Sequence, residues 1–203
     1  MTLIRMKRSV GARALFGLAL ATCAVPPSHA EGPDHTGQIA AFYEEAVADW
    51  ISSEPIIAAI RLQNEQHAEL TAAEIDELDK AWRAEIASEG NDRPFVQRVM
   101  DNAASKFLKQ QQRQANWMIV EIIVMDAKGL NVALSTPSSD YWQGDEDKHQ
   151  KTFQAGTDEP FIDAVEYEAE TGLLLSQVNR TLFDPTTGAP IGAVTVSVNM
   201  NKL

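Results

Sequence analysis

The chain contains 203 residues, of which 44% are hydrophobic and 23% are charged, so its composition is that of a globular protein rather than a disordered or membrane-embedded one. Its 17 Lys and Arg against 29 Asp and Glu give a formal net charge of −12, which argues against a protein that binds the nucleic-acid backbone. A single cysteine excludes an internal disulfide and a cysteine-rich metal site.

Residues 1–30 have the features of a signal peptide. Basic residues precede an uncharged apolar run, Ala14–Val25, which is shorter than the roughly 20 residues that span a bilayer. Ser28 and Ala30 then occupy the positions of an A-x-A-like cleavage site. We therefore predict cleavage after Ala30 and export, most simply to a bacterial periplasm. The alternative is a lipoprotein anchored through Cys23, although Thr22 is bulkier than the residue that usually precedes a lipidated cysteine.

A loose leader is expected at residues 31–37, and residues 38–114 then carry apolar side chains at helical spacing. This pattern predicts a helical arm of four helices. The first contains Ile39–Ile51, and the second follows Pro55. The third opens with the capping box Thr71–Glu74, and the fourth runs from Arg93-Pro94 to Leu108.

The period of the apolar residues changes to two after residue 115, which predicts a sheet. A turn at residues 126–129 joins the first two strands, and a loop leads into a short connecting helix, Asp145–Phe153. The predicted strands are Trp117–Met125, Leu130–Leu134, Ile162–Glu168, Leu173–Phe183 and Ile191–Met200. The predicted fold is therefore α+β, with an N-terminal helical arm followed by a PAS-like five-stranded antiparallel sheet with a connecting helix, at residues 115–203.

Two segments resemble a known family. The run Ser139-Asp140-Tyr141-Trp142-Gln143-Gly144-Asp145-Glu146-Asp147-Lys148 and the closing hairpin at residues 184–196 are similar to the Cache-type (PDC, PAS-like periplasmic) sensor domain family. The resemblance implies a single sensor domain at residues 38–203, of the kind that forms the extracytoplasmic input of histidine kinases and chemoreceptors. His149 departs from the family pattern, where an aromatic residue follows the lysine. The sequence shows no second membrane span, kinase or methyl-accepting segment, so we expect a sensor module alone.

The function expected from this resemblance is that of an exported, soluble sensory module that binds a small molecule and signals through a membrane-bound partner protein. Two alternatives remain open: a structural or interaction subunit without a ligand, and a carboxylate-based hydrolase. The hydrolase is disfavoured because the sequence contains no acid–base pair or nucleophile motif. We expect no cofactor, metal or nucleic acid, and we expect the histidines His35, His67 and His149 to lie at the surface.

The candidate ligand-binding residues are Tyr141, Trp142, Asp145, Lys148, Gln177 and Arg180. The two aromatic residues either close one end of the sheet or cover a ligand pocket, and these roles are compatible. Asp145 and Lys148 are three residues apart, so on one helical turn they face the same side and bind opposite charges or each other. Gln177 and Arg180 lie on a strand with polar residues on both faces, and Arg180 is either solvated or paired with a ligand carboxylate.

Overall fold

The structure is a computed structural model that describes residues 34–90, 92–169 and 171–203. The predicted signal peptide, with Cys23 and the cleavage site, lies outside these residues, as does the start of the predicted leader. Within the described part of the chain, none of the helices has the length and apolar character needed to cross a membrane.

The N-terminal arm is built, within the described residues, from six helices rather than four. They are α1 (His35–Ala46), α2 (Ala48–Ile51), α3 (Glu54–His67), α4 (Ala72–Ala87), α5 (Pro94–Met100) and α6 (Ala103–Gln114). Helix α1 begins inside the predicted leader, because the Asp34 side chain accepts a hydrogen bond from the backbone N–H of Gly37 and caps the helix. The helix predicted from residue 39 to 51 is interrupted at Val47.

Side-chain caps explain where two of the later helices begin. The predicted capping box is present: Thr71 accepts from the backbone N–H of Glu74, and the Glu74 carboxylate accepts from that of Thr71 at 2.8 Å. The single helix predicted up to Leu108 is divided into α5 and α6, because the Asn102 side chain accepts from the backbone N–H of Ser105 at 2.7 Å and starts a new helix.

One antiparallel sheet follows the arm. Its strands are β1 (Ile119–Asp126), β2 (Asn131–Leu134), β3 (Phe161–Ile162), β4 (Glu166–Glu168), β5 (Leu173–Phe183) and β6 (Pro190–Asn199). Their order is β2-β1-β6-β5-β3, with β4 also paired to β5. The strands β3 and β4 together are the predicted third strand, interrupted at residues 163–165. With that strand counted once, the sheet has five strands, and the predicted α+β fold is confirmed.

The connecting helix is shorter and less regular than predicted. It consists of one α-helical turn, α7 (Asp147–His149), that continues into a π-helical turn at Gln150–Gln154. The segment from residue 135 to 146 that precedes it contains no regular strand or helix. No side chain forms a capping hydrogen bond at the start of α7.

Helices cover both faces of the sheet and create two apolar clusters. On one face, buried side chains of α1–α3 and α6 pack against Ile122, Val124 and Val194. On the other face, α4 and α5 pack against Ile123, Met125 and residues of β2. Where β5 crosses this second face, the side chains are polar, and this polar area positions the candidate site.

Candidate functional site

A cavity of about 600 Å³ lies between the start of α7, the segment that joins β3 to β4, and strands β4 and β5. We call it the sheet cavity. Its lining residues are Glu146, Asp147, Lys148, Asp163, Ala164, Glu166, Tyr167, Glu168, Leu175, Ser176 and Gln177. Cavities of this size accommodate small organic ligands.

The floor beside the cavity is a row of polar residues across three strands. Gln177 of β5 lies opposite Ser197 of β6, which in turn lies opposite Glu121 of β1. The Gln177 side chain donates to the Ser197 hydroxyl at 3.3 Å. Burial raises the pKa of Glu121, and the nearby charge of Lys148 partly offsets this rise. Within the described residues, the Glu121 carboxylate accepts no hydrogen bond.

Glu121 was not among the residues predicted from the sequence, although its position in the strand sets it apart. It is a charged residue within the apolar stretch of β1, where a buried carboxylate is costly unless something binds it. Perturbed carboxylates beside a cleft mark candidate functional sites. Glu121 is therefore added to the candidate residues.

Lys148 supplies a positive charge to a largely acidic cavity. Its side chain is half-buried, and its Nζ atom lies 3.2 Å from a Glu146 carboxylate oxygen and donates to the Gln143 side chain at 3.2 Å. The lining carboxylates are Glu146, Asp147, Asp163, Glu166 and Glu168. Because acidic groups outnumber the cation, the potential in the cavity favours a ligand that carries a positive group.

Asp163 is held in place by hydrogen bonds to β5. Asn179 donates to its carboxylate at 3.0 Å, and the Ser176 hydroxyl donates to its backbone carbonyl at 2.7 Å. Burial raises the pKa of Asp163, whereas the hydrogen bond from Asn179 lowers it. The rigid attachment leaves the carboxylate at the wall of the cavity.

Tyr141 and Trp142 do not line the sheet cavity. The Tyr141 ring is buried, stacks on Trp82 with a centroid distance of 5.5 Å and lies 4.7 Å from the ring of Phe95. Trp142 is half-buried, and its indole N–H donates to the backbone carbonyl of Lys128 at 2.9 Å. Both rings pack in the apolar cluster beneath α4 and α5.

The structure does not bring the six candidate residues together in one cavity. Asp145 is exposed, and Lys148 pairs with Glu146 rather than with Asp145. Arg180 points to the opposite face, where it forms an ion pair with Glu44 and lies 5.3 Å from the centroid of the Tyr43 ring. Lys148 and Gln177 are the two that line the sheet cavity.

The histidines also differ from expectation. His149 is buried, with Nε2 3.3 Å from the backbone carbonyl of Asp126, and burial lowers its pKa. His67 is partly buried, with Nδ1 2.8 Å from a carboxylate oxygen of Asp126. Both occupy the junction between helices and sheet rather than the surface. No group of three or more His, Cys, Asp or Glu among the described residues is arranged to hold a metal ion.

Comparison with known proteins finds similarity at the level of structure. No protein-family model matches the sequence, and no curated protein matches it. The sensory domain of the Campylobacter jejuni chemoreceptor Tlp3 (CcmL) aligns with a TM-score of 0.39 and 12% identity, over 82% of this chain and 64% of that domain. The sensor domain of the V. cholerae histidine kinase DctB aligns with a TM-score of 0.36 and 12% identity, over 82% and 55% of the two chains. The sensor domain of E. coli DcuS aligns with a TM-score of 0.37 and 15% identity, over 63% and 92%.

These neighbours are sensory domains of chemoreceptors and histidine kinases. The chain spans less than two thirds of the length of the Tlp3 domain. The strand order described above, rather than these alignments, establishes the fold.

Proposed function

We propose that this chain is an exported sensory module whose sheet cavity binds a small organic molecule with a positively charged group, and that a membrane-bound partner protein receives the signal. The observation that carries the proposal is the cavity itself, an acidic space of about 600 Å³ on the polar part of a PAS-like sheet. Export is inferred from the predicted signal peptide at residues 1–30.

The sequence run that carries the family resemblance supports this proposal. The last three residues of that run, Glu146, Asp147 and Lys148, line the cavity. The other wall comes from strands far along the chain, β3 to β5, so the fold is needed to assemble the space. A ligand there contacts both the connecting segment and the sheet, so its binding favours one arrangement of the two and supplies a conformational signal.

The ligand chemistry follows from the charges in the cavity. A primary amine or quaternary ammonium group is attracted by the lining carboxylates, and Gln177, Ser176 and Tyr167 offer hydrogen bonds and an aromatic surface. Lys148 is already paired with Glu146. A simple carboxylate ligand would therefore have to compete with Glu146 and face the surrounding negative charge.

A thermal-shift screen of the purified protein tests this proposal. The panel contains primary amines, quaternary ammonium compounds, amino acids, organic acids and nucleobases. A bound compound stabilises the folded state by about 2.7 kcal/mol at a hundredfold excess over its dissociation constant. We expect cationic compounds to raise the melting temperature and small polar organic acids, which lack an apolar chain, to leave it unchanged. Stabilisation by no compound would favour an interaction subunit, and chemical turnover of a compound would favour a hydrolase.

Export has a separate test. Protein recovered from the periplasm of the producing cell is expected to begin near Glu31. A membrane-anchored form with a modified Cys23 would contradict cleavage after Ala30 and support a lipoprotein.

A further inference from the structure

A second cavity, of about 640 Å³, lies between helices α3, α4, α5 and α6 and the edge strand β2. We call it the helical groove. It shares no lining residue with the sheet cavity among the described residues. Its apolar lining includes Leu62, Leu78, Phe95, Val99, Ala104 and Val132. Leu62 is 56% exposed, so the groove leaves a large apolar side chain in contact with solvent.

The hydroxyl of Tyr141 is an unused donor in this groove. Tyr141 lines the groove and is only 4% exposed, and its ring is fixed between Trp82 and Phe95. Within the described part of the chain, no group forms a hydrogen bond with this hydroxyl. Buried tyrosine hydroxyls usually have a partner. Burial raises the pKa of Tyr141, so the hydroxyl keeps its proton at neutral pH and can donate it.

Arg98 is a second unused donor close to the first. Its guanidinium lies 4.8 Å from the centroid of the Phe95 ring, and that ring lies 4.7 Å from the ring of Tyr141. In the described chain Arg98 forms no ion pair, although the protein has 29 acidic residues. The Arg98 guanidinium and the Tyr141 ring therefore both contact Phe95, and the charge of Arg98 is close enough to Tyr141 to partly offset the rise in its pKa.

Most other polar groups of the groove already have partners. Gln63 and His67 bind the buried carboxylate of Asp126 at 3.0 and 2.8 Å. The Asn102 side chain donates to the backbone carbonyl of Val132 at 2.8 Å. Among the described polar side chains of the lining, these contacts leave Arg98, the Tyr141 hydroxyl and the exposed Gln66 to bind a ligand.

The charge of the helical groove is opposite to that of the sheet cavity. Among the described residues that line the groove there is no Asp or Glu, whereas Arg98 and His67 are present. We propose that the helical groove binds a small apolar molecule that carries one carboxylate, with the carboxylate held by Arg98 and the Tyr141 hydroxyl and the apolar part packed against α3, α5 and β2. Arginine binds carboxylates through two parallel hydrogen bonds, which fixes the orientation of such a ligand.

Octanoate is a suitable probe, because it combines an unbranched seven-carbon chain with one carboxylate. Titration into the wild-type protein, followed by calorimetry and by tryptophan fluorescence, is expected to show saturable binding. Octanol, which lacks the charge, is expected to bind about tenfold or more weakly. Equal binding of octanoate and octanol would overturn the proposal and indicate a nonspecific apolar surface. No saturable binding of octanoate would also overturn it.

Two variants test the assigned residues. Tyr141→Phe keeps the ring and removes the hydroxyl, so it is expected to weaken octanoate binding by about fivefold or more and to leave the ligand-free melting temperature unchanged or higher. Arg98→Gln is expected to weaken binding by about tenfold or more. Lys106→Gln removes an exposed charge of α6 outside the groove and is the matched control, with unchanged affinity expected.

Wild-type affinity in both Tyr141→Phe and Arg98→Gln would overturn the assignment. Ala164→Trp, which obstructs the sheet cavity, is expected to leave octanoate binding unchanged. If Ala164→Trp abolishes octanoate binding, the ligand occupies the sheet cavity and the helical groove is not its site. If no amine binds the sheet cavity, the octanoate result is unaffected. Amine binding in the sheet cavity and carboxylate binding in the helical groove are therefore tested separately.

Discussion

The carboxylate of Asp79 on α4 accepts the backbone N–H of Tyr141 at 2.8 Å through Oδ1, and the same oxygen accepts the N–H of Trp142 at 3.1 Å. The second oxygen, Oδ2, binds Arg83 at 2.6 Å. One buried side chain of the arm thus fixes the segment that holds both aromatic residues. It turns Tyr141 toward the helical groove and away from the sheet cavity.

Substitution of Asp79 tests this anchor. Asp79→Ala leaves two backbone N–H groups without their acceptor, which is expected to lower the free energy of unfolding by about 1–3 kcal/mol. Asp79→Asn keeps an acceptor oxygen, so its free energy of unfolding is expected to fall by less. Urea unfolding of the two variants measures the difference. An equal loss in both would show that the charge pairing with Arg83, rather than the two backbone contacts, holds the segment.

Much of the fold follows from local patterns that the sequence displays. The capping box at Thr71 and the change of period after residue 115 depend on neighbours within a few residues, so the helix start and the helix-to-strand change were predictable. Breaks such as the one at Asn102 were less visible. A single capping side chain ended a continuous apolar pattern there.

The candidate site was harder to predict, for a physical reason. The period-two alternation of β5 indicates which residues share a face of the sheet. It does not indicate which helix or loop covers that face. Arg180 meets Glu44 of α1, and Gln177 meets the connecting segment, because the two faces of the sheet are covered by different parts of the chain. The side on which Tyr141 packs depends on Asp79, 62 residues earlier.

Gly129 lies in the turn between β1 and β2, and its close packing there can be tested against Gly156, a second glycine with positive φ outside that turn. Gly129 has φ +82°, and a Cβ there would lie 2.5 Å from the Cα of Gly144. Gly156 has φ +65°, but a Cβ there would meet nothing within 4 Å. Gly156→Ala is expected to cost about 1–2 kcal/mol from backbone strain alone. Gly129→Ala is expected to cost roughly 1–3 kcal/mol more. Equal unfolding midpoints for the two variants would contradict the close approach.

The buried His149 predicts a pH dependence of stability. Burial lowers its pKa below the ordinary 6.5, so the unfolded chain binds a proton more readily than the folded one. The contribution of neutral His149 is therefore complete above pH 6.5 and is lost as the pH falls below that value. His149→Gln removes the titrating group, and its free energy of unfolding is expected to fall less steeply over this interval. Parallel curves for wild type and variant would contradict this role.

Glu121 predicts a pH dependence of ligand binding. Burial raises its pKa above the ordinary 4.5, so the carboxylate is neutralised at a higher pH than an exposed glutamate. As the pH falls, the affinity for a cationic ligand is therefore expected to begin to decline at a pH above the ordinary glutamate pKa of 4.5. Glu121→Gln removes this titrating carboxylate. The variant is expected to bind the cationic ligand more weakly at neutral pH, and its affinity is expected to decline only at more acidic pH. An identical pH profile in the variant would show that Glu121 does not act on the ligand.

The most direct test of ligand binding in the sheet cavity is a calorimetric titration with an amine found in the screen. The amine is titrated into three proteins: wild type, Ala164→Trp and Ala189→Trp. Ala164 lines the sheet cavity, and Ala189 is an exposed residue of the β5–β6 hairpin outside it. Ala164→Trp is expected to weaken binding by about tenfold or more, about 1.4 kcal/mol, whereas Ala189→Trp is expected to bind like the wild type. Wild-type affinity in a folded Ala164→Trp protein would contradict the assignment of the sheet cavity as the sensory site.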